Sequence, residues 1–411
     1  MDAVTLVLAL SVAAGFFMAF ALGANDVSNA MAASVGSKAL SLRQALVVAA
    51  ILNCVGAIFL GAGVTSTIAT GIIDPASVPD KFQFMLGMFA ALLSAGLWVL
   101  IATLTGLPVS STHSVVGGII GLGLVLGGPE LVNWSVMFKI VLSWICSPLL
   151  GVIISYVSFM HIRRYILFSR QVRKGAMRWV PFWVGLTALI IFLSFLSKTP
   201  AGKSMHLALW QTALLGAAFM FLTMVICYKI LPRLLNRPGK DAKNIEGVFK
   251  RMQVGTASYV ALCQGSNDVS NAIGPVAAIY MIYRQSGMLG AVEIPLWLLL
   301  MGGAGIAFGI FMMGHRVMST VGERITKINH SRGFAVDFGA ATTVMMATNL
   351  GMPVSSTHAT IGAVVGVGLA RGFAAVDFRV LGKIVLYWIL TVPIAAFSCI
   401  VIYTLLRYLF S

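Results

Sequence analysis

Apolar positions run through this chain in long, nearly unbroken blocks rather than in the narrow stripe of a soluble amphipathic helix. Blocks cover about Val4–Val35, Ala45–Ile73, Phe84–Thr105, a glycine-rich stretch ending near Leu126, and Val136–Met160. Apolar runs of about 18 residues or more are long enough to cross a bilayer as helices. Two further blocks, Phe182–Leu196 and Leu207–Ile230, lie between basic segments at 163–178 and 229–251, and a second series fills the remainder. The pattern predicts an all-α polytopic membrane protein with about twelve transmembrane helices in five–two–five order. A β-barrel would show short alternating segments instead.

Polar clusters interrupt these blocks at two kinds of place, and each kind occurs twice. Gly23-Ala-Asn-Asp-Val-Ser-Asn29 returns 242 residues on as Gly265-Ser-Asn-Asp-Val-Ser-Asn271. Gly106-Leu-Pro-Val-Ser-Ser-Thr-His113 returns 245 residues on as Gly351-Met-Pro-Val-Ser-Ser-Thr-His358. Two motifs in one order at nearly one offset indicate an internal duplication. Residues 1–160 read as an N-terminal repeat of about five spans, 161–245 as a basic connector with two extra spans, and 246–411 as the second repeat. Basic residues collect in cytoplasmic loops. With five crossings per half, that rule puts the segments at 163–178 and 229–251 inside and both termini outside. The halves then enter the membrane from opposite faces, the inverted-repeat plan of many secondary transporters, whose sites use broken or re-entrant helices.

Composition agrees. The chain is 59% hydrophobic and 10% charged, with mean hydropathy +0.95, against about 25% charged residues in soluble domains. The net charge of +16 fits cytoplasmic loops better than nucleic-acid binding, because the basic residues sit in short loops between spans. Cys54, Cys146, Cys227, Cys263 and Cys399 stand singly, without a disulfide or metal-binding spacing. The first block lacks a basic leader and an evident cleavage site, so it reads as a retained helix.

Asp26 and Asp268 are the two carboxylates well inside apolar blocks, with Asp337 near the start of another. Carboxylates at membrane depth are costly and usually functional. Duplicated beside amides and hydroxyls, Asp26, Ser28, Asn29, Asp268, Ser270 and Asn271 suit a hard cation, sodium in preference to a proton. The neighbouring glycines would free backbone carbonyls as further ligands if the helix breaks there. Pro-Val-Ser-Ser-Thr reads as a helix start, whose unpaired N–H groups attract anions. Ser110, Ser111, Thr112, Ser355, Ser356 and Thr357 would add hydroxyl donors. His113 and His358 read first as neutral histidines bonded to backbone, with proton carriage as the alternative. Each half carries the same set, which argues against one asymmetric hydrolytic triad. No phosphate loop and no His/Cys metal cluster occurs, so energy would come from a gradient.

The paired signatures make the chain similar to the inorganic phosphate transporter (PiT) family, over about 1–160 and 245–411. That resemblance implies a membrane symporter of inorganic phosphate with sodium or protons, without enzymatic activity or an organic cofactor, and a homodimer in the plasma membrane. It implies ion and substrate binding by Asp26, Asn29, Asp268 and Asn271, and a phosphate site drawn from Asn25, Asp26, Asn267 and Asp268 with the serines and threonines of both repeats. The connector is short beside the long cytoplasmic loop of animal relatives, so regulation through that loop is not implied. Some bacterial relatives carry sulfate, and a sulfate transporter or an anion channel stays open at this point.

Overall fold

The computed structural model describes residues 2–199, 202, 204–236, 241–284, 294–318 and 327–410. Arg237 and Lys240, in the basic segment used above to orient the chain, lie outside them. Twelve principal helices follow one another: α1 (Ala3–Gly36), α2 (Leu42–Leu60), α3 (Lys81–Leu104), α4 (Ser111–Gly127), α5 (Trp134–Ile162), α6 (Val172–Lys198), α7 (Leu209–Leu235), α8 (Asp241–Tyr283), α9 (Leu296–Met313), α10 (His330–Asn349), α11 (Ser356–Leu369) and α12 (Phe378–Phe410). Their starts carry conventional caps: Asp2 accepts from Thr5 N–H, Ser41 and Gln44 form a capping box, and Asp80 accepts from Phe82 and Gln83 N–H. All five cysteines are free thiols.

The five crossings expected for each half are not matched one to one by the helices. α3 and α4 fold against each other as an antiparallel hairpin, with Gly87 against Leu122 and Gly118 against Ala91. Gly106 turns the tip at φ +71°, a left-handed conformation that glycine adopts without a Cβ clash. The base of the hairpin returns to the segment between α2 and α3, where Asn133 N–H donates to the Ile72 carbonyl. α10 and α11 repeat the arrangement around Gly351 at φ +69°. At 17 and 14 residues, α4 and α11 reach only about 26 and 21 Å, less than the ~30 Å hydrocarbon core. They are re-entrant arms. Among the described residues eight helices are long and apolar enough to cross, the hairpin arm α3 being one of them.

The halves interlock. α1 and α8, which carry the Asn-Asp motifs, run antiparallel: Gly15 lies against Ala272 and Val276, and Ser37 bonds to Gln253 at the other end. α4 lies along α12, with Gly117 against Val392 and Gly121 against Ala396, while α11 lies along α5 through Gly362 against Pro148 and Gly366 against Val152. Each re-entrant arm is thus supported by the last helix of the other half.

One expectation is overturned. α1 and α8 run unbroken through Gly23–Asn29 and Gly265–Asn271, so their backbone carbonyls stay in helical bonds. Gly23 and Gly265 serve packing instead. A Cβ on Gly23 would sit 2.0 Å from the Ile306 carbonyl oxygen of α9, and one on Gly265 would sit 2.0 Å from that of Asn53 in α2. Small residues allow such backbone approach inside membranes. The chain breaks at the Gly-Leu/Met-Pro-Val-Ser turns, where proline and positive-φ glycine end one helix before the next begins.

Candidate functional site

The two hairpins enter from opposite ends of α8. The base of the first lies toward Gly274, which packs on Ile68. The base of the second lies toward Glu246, which accepts from Asn329 and Ser331. Their tips meet beside the Asn-Asp motifs. Thr112 hydroxyl donates to the Val354 carbonyl and Thr357 hydroxyl to the Val109 carbonyl, each at 3.2 Å. The exchange is reciprocal across the repeats.

Helix register puts Asn25, Asp26 and Asn29 of α1 against these tips. Asn25 side-chain N–H donates to Thr103 hydroxyl at 3.0 Å and to the Leu107 carbonyl at 3.1 Å, while its Oδ1 accepts from Val109 N–H. Asn267 donates to the Val354 carbonyl at 2.8 Å and accepts from Val354 N–H. These two asparagines therefore hold the turns in place. Asn29 crosses to the other half and donates to Thr357 at 3.0 Å, and Asn271 crosses back to Thr112 at 3.1 Å.

Ser111 hydroxyl donates to Asp26 Oδ2 at 2.7 Å. Asp268 accepts from Asn267 at 2.9 Å and from Ser356 at 3.4 Å. Both carboxylates are at most 2% exposed, and no Lys or Arg among the described residues is buried. Four acceptor oxygens here, Asp26 Oδ1, Asn29 Oδ1, Asn271 Oδ1 and Gln264 Oε1, have no hydrogen-bond donor. Two buried carboxylates with surplus acceptors and no cationic side chain form a site short of positive charge.

The remaining predicted residues hold local roles. Ser28 and Ser270 hydroxyls donate to the Asn25 and Asn267 carbonyls of their own helices. Ser110 and Ser355 cap α4 and α11 by accepting from His113 and His358 N–H. Ser111 and Thr112 N–H, and those of Ser356 and Thr357, open their helices without an intrahelical acceptor. Anion-attracting helix starts and cation-attracting carboxylates therefore share one buried space.

His113 and His358 meet edge to face behind the tips, 4.5 Å apart between ring centroids. His113 Nδ1 lies 3.2 Å from the Trp388 carbonyl, and His358 Nδ1 lies 3.0 Å from that of Trp144. Each ring also packs on a tryptophan, His113 on Trp144 and His358 on Trp388. Backbone anchoring is the reading the sequence favoured, and the structure has it.

Sequence reasoning missed Gln264 on α8. Its Nε2 donates to the Asp26 carbonyl at 2.5 Å. Aligning the repeats by eye could have found it, because the corresponding residue in the first half is Leu22.

The Thr112/Thr357 exchange gives a first expected outcome. Thr112→Val keeps the shape but strands Asn271 Nδ2 and takes one of two donors from the Val354 carbonyl, which keeps Asn267, at about 1–3 kcal/mol for the polar group left unpaired. Thermal unfolding of the purified variant should fall by several degrees, and Thr357→Val should match it. An unchanged midpoint in both would mean the tips are not held by these hydroxyls.

Comparison with known proteins gives one answer. Residues 22–399 match the phosphate transporter family. A relative from Pyrococcus furiosus that bears a phosphate permease name is 45% identical, over 95% of this chain and 93% of its own. The chloroplastic inorganic phosphate transporter 2-1 of Arabidopsis thaliana is 38% identical, over 95% of this chain and 70% of its own. A solved structure described as the sodium-dependent phosphate transporter superposes with a TM-score of 0.91 at 42% identity, covering 98% of this chain and 99% of that one. With the motifs, the hairpins and these matches together, the chain belongs to the phosphate transporter family, a family of membrane transporters and not of enzymes.

Proposed function

We propose that this transporter imports inorganic phosphate with sodium by alternating access. The observation that carries the reading is the buried pair Asp26 and Asp268 with donor-free amide oxygens and no buried Lys or Arg among the described residues. Sodium ions would bind among Asp26, Ser28, Asn29, Asp268, Ser270 and Asn271, all oxygen ligands on rigid helices. Their charge would turn an acceptor-rich site into one that accepts an anion. Phosphate would then bind between the openings of α4 and α11, using the hydroxyls and N–H groups of Ser110, Ser111, Thr112, Ser355, Ser356 and Thr357, with Asn25 and Asn267 holding the turns. Such an order couples the two ligands, since the anion is repelled until the cations are present.

The antiparallel α1 and α8 and the opposed hairpins support an inverted-topology duplication, in which residues 1–160 and 246–411 trade outward and inward roles around a fixed site. The sodium-dependent transporter that superposes on this chain supports sodium over a proton. In this reading the protein sits in the plasma membrane as a homodimer with both termini outside. Proteoliposomes loaded with an imposed sodium or pH gradient test it: labelled phosphate accumulates under the sodium gradient. Accumulation under the pH gradient alone would transfer coupling to protons. Stronger competition by sulfate than by unlabelled phosphate would change the substrate, and purely downhill flux would make the protein a channel.

A further inference from the structure

A cavity of about 460 Å³ lies away from the Asn-Asp site, in the seam between the connector helices α6 and α7 and the helices α8 and α10 of the second repeat. Val184 and Ile191 of α6, Ile226 and Leu234 of α7, Met252 of α8 and Phe334 of α10 give it apolar walls. Three threonines reach it, Thr187, Thr223 and Thr256, and each already donates its hydroxyl to a carbonyl of its own helix. Arg251 is the one charged residue of the described lining. One turn further along α8, Gly255 lines the cavity too, and a Cβ added there would meet nothing within 4 Å. The open space therefore reaches the backbone of α8.

The cavity has a charged end and an apolar end. Arg251 closes the basic segment 229–251, and Lys250 and Arg233 are exposed on neighbouring turns. In the other direction a second apolar cavity, of about 480 Å³, shares Ile191 and continues past Phe59, Phe195 and Leu262. The α6 wall of the first cavity, Val180 to Ile191, is about 16 Å long at 1.5 Å per residue. That is about the depth of one leaflet of a ~30 Å hydrocarbon core.

We infer that this cavity binds an anionic phospholipid from the leaflet bordering the basic loops, with an acyl chain along α6 and the lipid phosphate on Arg251. A polar ligand would find no partner on these walls besides Arg251, whereas an acyl chain needs none. A guanidinium presents paired N–H donors that match phosphate oxygens. Basic pockets between membrane helices take anionic headgroups for this reason. The site stands apart from transport chemistry and holds whichever ion drives uptake.

Native mass spectrometry of the purified full-length protein tests it, with phosphatidylglycerol titrated against phosphatidylcholine of the same acyl chains. Phosphatidylglycerol should bind saturably and about tenfold more tightly than phosphatidylcholine. Arg251→Gln should bring the two lipids to within about twofold of each other, the loss of one cation beside a phosphate. Arg170→Gln removes an exposed arginine that does not line the cavity and should leave the preference unchanged. Gly255→Leu puts a side chain into the open space and should abolish saturable binding in a protein that still folds.

A phosphatidylglycerol preference that survives Arg251→Gln would overturn the inference, and so would saturable binding that survives Gly255→Leu. Displacement of the lipid by inorganic phosphate would assign Arg251 to the free anion instead. A change of oligomeric state in Gly255→Leu would make the seam an interface between copies of this chain, which also refutes a lipid site. Should Gly255→Leu not purify as folded protein, the two arginine variants decide: loss of preference in Arg251→Gln alone supports the site, and equal behaviour of the two refutes it.

Discussion

Asp26→Asn and Asp268→Asn should each reduce sodium-driven phosphate accumulation at least about a hundredfold while leaving a folded protein. The amide is nearly isosteric, so packing around α1 and α8 survives. What disappears is one of two buried negative charges. A unit charge about 4 Å from a sodium ion at an effective dielectric constant of 20 is worth roughly 4 kcal/mol, close to three powers of ten in binding. Asp26 has an added consequence, because its Oδ2 accepts from Ser111 at the opening of α4, so the change reaches the anion side of the site too. The measurement is initial uptake into proteoliposomes at matched protein loading, with gel filtration to confirm folding. Wild-type accumulation in either variant would end the two-carboxylate account. Loss in one variant only would leave a single coupling ion.

Gly23→Ala and Gly265→Ala should cost the fold itself. In each, the new methyl would lie 2.0 Å from a carbonyl oxygen of a crossing helix, inside any permitted contact, and backbone in a packed bundle cannot retreat without separating the helices. The pairs are mutual: Gly309 of α9 approaches Phe20 of α1, and Gly56 of α2 approaches Leu262 of α8, equally closely. Gly247→Ala is the control. It lies on the same helix as Gly265, with nothing within 4 Å of an added Cβ, and should be neutral or gain up to about 1 kcal/mol from helix propensity. Yield of monodisperse protein and the unfolding temperature check both. A well-folded Gly265→Ala with an unshifted midpoint would show that the α2–α8 crossing is not as close as described.

Charge scarcity and apolar block length made the membrane-spanning helical class legible before any coordinates. The two motifs were legible as well, because an Asp-Asn pair inside an apolar block has few structural excuses and a repeated one has fewer. The motifs supply residues that meet in the structure, Asp26 with Ser111 and Asp268 with Ser356, without pairing them. They do not say which helix breaks. Glycine beside Asp26 suggested a broken helix, yet Gly23 is there to admit α9. In an apolar bundle a glycine that opens the backbone and a glycine that admits a neighbour look the same in one dimension.

Hairpins and crossings were confused for a similar reason. A run such as Ser111–Leu126 is apolar because it is buried in protein at membrane depth, and hydropathy does not separate that burial from contact with lipid. A hairpin and two crossings both return the chain to the same side, so the expected placement of the later loops is the same for either.

The sequence by itself determined the solvent this protein lives in, the duplication, and the oxygen chemistry of Asp26, Asn29, Asp268 and Asn271, because these depend on residue type and order. Only the tertiary structure decided that the halves exchange partners: Asn29 bonds to Thr357, Asn271 to Thr112, and His113 and His358 lie against the backbone of α12 and α5. It alone also set Gln264 beside Asp26. Those contacts join residues far apart in the chain, and their partners are chosen by how helices pack, which no local pattern of apolar and polar positions encodes.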